Sequence, residues 1–173
     1  MRPRRLLVAW WSNTGGTERL VEAAADGARR AALEAGAEPD ALDVLAVRCD
    51  RLAPAALLAA DALLFAAPEC LGSMAGPAKA FFDRCYYPVL EGLVGRPYAT
   101  LVCAGTDGHG ALRQIERIAT GWRLRRVADP VIVLTGAQTP GAIAAPKRID
   151  DADLGRAAEL GATLGAGTAL GIW

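Results

Sequence analysis

The sequence is nearly without histidine: His109 stands alone in 173 residues. Cysteine is sparse as well, with Cys49, Cys70, Cys85 and Cys103 and no CxxC pair among them. One imidazole and four scattered thiols leave no ligand set for a zinc site, so no metal is expected. The cysteines read as reduced thiols packed as small hydrophobes. Net charge is missing too, with 19 acidic and 19 basic side chains. A neutral chain has no electrostatic footprint for a phosphodiester backbone, which argues against nucleic acid as a partner. It argues in the same sense against a strongly acidic docking protein. No apolar run reaches transmembrane length without glycine, proline or charge, so no membrane insertion is expected. Met1-Arg2-Pro3-Arg4-Arg5 carries the charge of a signal n-region. The apolar run Leu6–Trp11 is too short for the h-region that would follow. The expected location is the cytoplasm.

What is present is a globular composition, 53% hydrophobic and 22% charged. Strands and helices alternate along it. Leu6–Trp11 is continuously apolar, as in a strand buried on both faces. Glu18–Gly36 has helical periodicity through Leu20, Val21, Ala24, Ala28 and Ala32. Further strands are expected at Leu42–Val47, at Ala62–Ala67 (stopped by Pro68), at Tyr98–Ala104 and at Val127–Leu134, where Pro130 suggests a bulge or an edge. Helices are expected at Arg51–Ala60, Pro77–Tyr87, Ala111–Arg123 and from Asp151 to about Leu164. Ala137–Arg148 reads as a Pro/Gly/Ala loop. No repeat and no linker divides the chain, so residues 1–173 are expected to form one domain with a Gly-rich tail from about 165, loose or docked through Trp173. Five βα alternations mean a parallel sheet with helices on both faces.

In such a sheet ligands bind beyond the carboxyl ends of the strands. The loops after the first, third and fourth strands are rich in glycine and small hydroxyl residues, the composition needed where backbone approaches a ligand. The first, Ser12-Asn13-Thr14-Gly15-Gly16-Thr17, leads from strand to helix. Its N–H groups and helix dipole suit an anion. It holds no Lys or Arg, so a phosphate there would be gripped by neutral donors only. That suits a monophosphate and not a nucleoside triphosphate, since the Lys of GxxxxGK[ST] is missing. The second loop is Pro68-Glu69-Cys70-Leu71-Gly72-Ser73-Met74. The third, Ala104-Gly105-Thr106-Asp107-Gly108-His109-Gly110, contains GxxGxG, but after the wrong strand for a dinucleotide fingerprint.

The stretch Val8-Ala9-Trp10-Trp11-Ser12-Asn13-Thr14-Gly15-Gly16-Thr17-Glu18 resembles the phosphate loop of flavodoxins, T/S-x-T-G-x-T, especially in the short-chain bacterial forms. The second loop, with Lys79-Ala80-Phe81-Phe82-Asp83-Arg84 after it, is similar to the P-x-x-x-G-x-M…K-x-F-x-D-R pattern of NAD(P)H-dependent FMN reductases and flavodoxin-like quinone reductases. The resemblance runs from the first strand to the fifth. It implies a flavodoxin-like α/β fold, a three-layer α/β/α sandwich on a five-stranded parallel sheet of order 2-1-3-4-5. It implies one bound FMN, NAD(P)H as co-substrate, a small-molecule electron acceptor such as a quinone or flavin, and a homodimer. By this resemblance Ser12, Asn13, Thr14, Gly15, Gly16 and Thr17 hold the phosphate. Pro68, Glu69, Cys70, Leu71, Gly72, Ser73 and Met74 wrap the ring, and Ala104, Gly105, Thr106, Asp107 and His109 form the far wall. Leu71 departs from the aromatic residue that often stands there, and would cover a ring by contact without π-stacking.

Within that frame Asp107 and His109 are the candidates for orienting a substrate or relaying a proton. Glu69 is expected to disfavour an anionic reduced flavin by like-charge repulsion. Cys70 has no base or resolving partner in the sequence. Of Trp10 and Trp11, one is expected in the core and one near the phosphate loop. Tyr86 and Tyr87 are expected to pack, with the ring pocket as the other possibility. The alternatives to an oxidoreductase are a non-enzymatic flavodoxin-type carrier, which zero net charge disfavours, and an FMN-free interaction scaffold. A phosphorelay receiver would need an acidic pair where Ser12-Asn13 stand. A low-molecular-weight tyrosine phosphatase would need C-x5-R after the first strand.

Overall fold

Apolar residues on alternate positions of the central strands separate into two cores, one on each sheet face. In the computed structural model, which describes residues 2–173, the elements run β1 (Arg4–Trp10), α1 (Gly16–Glu34), β2 (Leu42–Arg48), a 3-10 turn (Cys49–Arg51), α2 (Pro54–Ala59), β3 (Ala62–Cys70), β4 (Ser73–Met74), α3 (Gly76–Tyr86), β5 (Pro97–Ala104), α4 (His109–Gly121), β6 (Arg125–Arg126), β7 (Val131–Leu134), α5 (Pro140–Ala144) and α6 (Asp151–Leu170). Leu7, Ala9, Leu63 and Phe65 point to one side, against Leu57, Phe81, Phe82, Ile115 and Trp122 of α2, α3, α4 and the residue after it. Leu6, Val8, Leu64 and Ala66 point to the other, against Leu20, Ala24 and Ala28 of α1 and Leu160 and Leu164 of α6. This period of two, with both faces covered, gives the three layers.

The sheet has seven strands, where five were expected. Its parallel order is β2-β1-β3-β5, followed by β6 and β7, which both pair with β5. The expected order 2-1-3-4-5 is kept, but two local events add strands. The fifth position is split because Pro130 has no N–H for the ladder, so β6 pairs with Pro97 and Tyr98 and β7 with Leu101–Ala104. The other event lies after β3. Pro68 does not stop that strand, because β1 has already ended opposite Ala66 and nothing on that side awaits a donor. The strand runs on to Cys70, turns at Leu71 (φ 54°) and Gly72 (φ 72°), and returns as the antiparallel β4. Positive φ at both residues of a two-residue turn is the type I′ pattern that suits a hairpin.

The last helix passes well beyond Leu164. It continues to Leu170 because its glycines let it lie directly on α1: a Cβ at Gly161 would stand 1.9 Å from the Ala24 carbonyl oxygen. The end of the chain is docked, with the Trp173 ring against Gly167. Among the described residues no helix is long and apolar enough to cross a membrane.

Candidate functional site

The loops after β1, β3 and β5 meet around a cleft of about 390 Å³ at the carboxyl ends of the strands. Ser12, Asn13, Thr14, Gly16 and Thr17 line it from the first loop, Pro68 to Gly72 from the second, and Ala104, Gly105 and Thr106 from the third. Gly15, Ser73, Met74, Asp107 and His109 were expected there and are not among the lining residues.

The floor is the start of α1. Ser12 Oγ accepts from Gly15 N at 3.0 Å and closes the turn. Gly15 takes the left-handed conformation (φ 86°), with open space where a Cβ would be, and no side chain caps the helix. The N–H groups of the first turn therefore have no side-chain acceptor. Thr17 Oγ is buried and without a hydrogen-bond partner; the Cys103 sulfur beside it is at most a weak acceptor. A buried, unpaired hydroxyl below a row of unclaimed amides fits an anionic ligand oxygen. Burial pushes the Cys103 thiol up to about 11, against the pull of the Lys147 ammonium, so the floor carries no thiolate at neutral pH.

Asn13 is turned from the floor. Its amide nitrogen donates to Cys70 Sγ at 3.1 Å, and its oxygen accepts from Trp11 Nε1 at 2.6 Å. Trp11 in turn lies under the Arg48 guanidinium, 4.5 Å from the ring centre. Trp11 is thus the tryptophan near the loop, while Trp10 packs against the core beside α1. Burial raises the Cys70 pKa although the Asn13 amide opposes it, which leaves a poorly nucleophilic thiol.

The second wall is the β3–β4 hairpin, and it is fastened to α4. Glu69 Oε1 accepts from Gly108 N and its Oε2 from Ala111 N, both at 2.9 Å. Gln114 Oε1 accepts from Ser73 Oγ at 2.9 Å and Met74 N at 3.0 Å. Glu69 thus lines the cleft, as expected, and its carboxylate also caps α4, a role the expectation did not include. Leu71 is fully exposed at the hairpin tip, on the rim of the cleft.

Asp107 and His109 pair with each other, Oδ1 to Nδ1 at 2.9 Å, on the exposed outer side of the third loop. Tyr86 and Tyr87 are exposed, pack on each other with ring centres 4.9 Å apart, and are not among the residues lining the cleft.

A third wall was not legible in the sequence. Thr135, Ala137, Ile143 and Lys147 line the cleft from a strap that follows β7. The strap is tied down by Gly136 N to Gly105 O at 2.8 Å and by Lys147 N to Thr14 O at 2.8 Å. Lys147 Nζ donates to the carbonyls of Ala142, Ile143 and Ala145 at 2.9, 2.7 and 2.6 Å. The loop after β1 holds no cation, and the one lysine that lines the cleft has its ammonium turned to these carbonyls.

Fold and cleft together define a flavodoxin-like protein. An archaeal flavodoxin superposes with a TM-score of 0.72 at 16% identity, over 95% of this chain and 98% of that one. An oxidoreductase from Corynebacterium diphtheriae gives 0.67 at 23% identity, over 95% and 97%. A WrbA-like flavodoxin from Agrobacterium tumefaciens gives 0.64 at 22%, over 96% of both. No curated protein matches the sequence. The model of the NADPH-dependent FMN reductase family matches residues 6–138, and the chain belongs to that family. The cofactor of the family is FMN, and the donors at the floor fit its phosphate.

Proposed function

We propose that the cleft holds one FMN and that the chain is an NAD(P)H-dependent oxidoreductase passing electrons to a quinone, a flavin or a similar small acceptor. One observation carries this reading. The N-terminus of α1 offers first-turn amides that no side chain accepts, and a buried Thr17 hydroxyl with only the weak Cys103 sulfur beside it, at the floor of the cleft.

FMN, when bound, supplies the redox chemistry. The chain's residues bind, orient and shield. The first-turn amides of α1 with Ser12, Thr14 and Thr17 bind the phosphate. The hairpin, clamped on α4 by Glu69 and Gln114, brings Leu71 and Gly72 to the rim, where the exposed Leu71 side chain would cover an apolar ring face by contact. Gly105 and Thr106 close the opposite side. Such a reaction requires no side-chain nucleophile, and none is activated at the cleft: Cys70 and Cys103 are both held as thiols. Four free cysteines suit a reducing compartment, and we place the protein in the cytoplasm as one domain over 1–173.

Purified protein is expected to be yellow, and the apoprotein to bind FMN at micromolar concentration or below. NADPH oxidation is expected to speed up when a quinone is added. Colourless protein that fails to take up FMN overturns the reading. Yellow protein that does not oxidise NADPH or NADH would support the second reading, a flavodoxin-type carrier, which the likeness to flavodoxin structures favours.

A further inference from the structure

The strap over the α1 N-terminus has little to hold it. Residues 141–146 are all exposed, so no core contact pins them. The helix within it, α5, has five residues, far below the length that is stable on its own. Beyond the Gly136–Gly105 bond at its start and the Thr139 cap of α5, what holds it is Lys147. The main-chain N–H of this residue ties to Thr14, and its ammonium gathers three carbonyls at the end of α5. Its stem meanwhile crosses the start of α1: a Cβ on Gly16 would stand 3.1 Å from Lys147 Cβ and 3.4 Å from Cγ.

A cation in this place is more than a helix cap. Lys147 also lines the cleft, and its charge reaches the Cys103 thiol at the floor. A phosphate monoester is a dianion at neutral pH, and a helix terminus offers about half a unit of positive charge. The loop after β1 holds no Lys or Arg, and the nearby Arg19 is engaged with Glu22 at 3.0 Å.

We propose that Lys147 is the cationic half of the phosphate site: it holds the strap across the α1 N-terminus and sets a positive charge beside a bound phosphate monoester, so that the cleft selects a phosphorylated flavin over an unphosphorylated one. The proposal rests on the flavin reading above. It adds a source of selectivity outside the loop that the motif marks. A flexible stem lets the ammonium turn between the carbonyls and the phosphate.

The test is a fluorescence titration of apoprotein with FMN and with riboflavin. In Lys147→Met, FMN affinity is expected to fall roughly tenfold to hundredfold, the range of a hydrogen bond to a charged group, with riboflavin affinity unchanged. Lys147→Gln keeps a donor for the α5 carbonyls and removes the charge. It is expected to show the same selective loss, and it decides the matter if the Met variant does not fold. Lys147→Arg is expected to restore the preference for FMN. Equal losses for both ligands, or no loss for either, overturn the proposal and leave Lys147 as a strap anchor. If the wild-type chain binds neither ligand, the flavin reading itself fails.

Discussion

Two helices in this molecule begin in the same way and are used differently. Gly15 precedes α1 at φ 86°, ψ −15°, and Gly108 precedes α4 at φ 86°, ψ −16°. Each follows the carboxyl end of a central strand, and each presents first-turn amides and the positive end of a dipole. At α4 Glu69, reaching over from β3, accepts from the Gly108 amide just before the helix and from the Ala111 amide in its first turn. At α1 Ser12 takes the Gly15 amide, but no side chain takes an amide of the first turn, and Thr17 Oγ lies buried beneath with only the weak Cys103 sulfur beside it. The doubly wound fold thus makes two comparable anion sites. The chain fills one with its own carboxylate, to fasten a wall of the cleft, and leaves the other open as the floor. Function is marked by the terminus that the protein does not satisfy.

The sharpest way to break this contrast is to empty the filled terminus. Glu69→Ala leaves two α4 amides without their acceptor and is expected to cost the apoprotein about 2 kcal/mol of unfolding free energy. Glu69→Gln retains one acceptor oxygen and is expected to cost about half as much. Urea denaturation measures both. The ratio of FMN to riboflavin affinity is expected to stay fixed, since Glu69 serves the other helix. An unchanged stability in Glu69→Ala would mean that the two termini are not filled and open in the sense described.

The converse change is made at the open terminus. Thr17→Val removes a hydroxyl whose one neighbour in the protein is the weakly accepting Cys103 sulfur. The apoprotein is expected to lose no stability, because an unpaired buried polar group is a cost already carried. FMN affinity is expected to fall about tenfold, or about 1.4 kcal/mol, for one lost hydrogen bond to a charged oxygen. The signature is the opposite of the Glu69 variant: affinity moves while stability does not. Loss of stability without loss of affinity would place the Thr17 hydroxyl among structural groups.

Half of this contrast could be read from the sequence. The loop Ser12–Thr17 is contiguous and sits between an apolar run and a helical period, so local pattern was enough to find it. The layers were legible for the same reason, since Leu6, Val8 and Leu7, Ala9 alternate in a period of two. The other half depends on tertiary reach. That Glu69, besides lining the cleft, caps α4 cannot be read locally, because nothing near it in the chain shows that α4 starts opposite it. Pro68 was read as a strand end, and only the early end of β1 makes a proline harmless there. Lys147 lies in a Pro/Gly/Ala stretch with no motif, and its neighbours Thr14 and Gly16 are far away in the chain. Contacts of this kind leave no periodicity to detect.

The smallest expected effect concerns the dryness of the open floor. Cys103 lies there, with its thiol raised from the ordinary 9.0 to about 11 by burial. As pH rises past 9, the unfolded chain gives up this proton while the folded chain keeps it. The folded state then binds more protons, so stability falls with rising pH until the folded thiol also ionises. At pH 9.5 the loss from this one group is about 0.8 kcal/mol relative to neutral pH. Cys103→Ala removes it. Cys49, raised to about 12 by burial, declines in the same way in both proteins and cancels from the difference. Urea denaturation of wild type and Cys103→Ala at pH 7.5 and 9.5 is therefore expected to show a steeper alkaline loss in the wild type. Parallel losses would mean that the thiol ionises as freely in the folded chain as in the unfolded one. The floor would then be wet, and an unpaired hydroxyl beside it would be served by water instead of being held for a ligand.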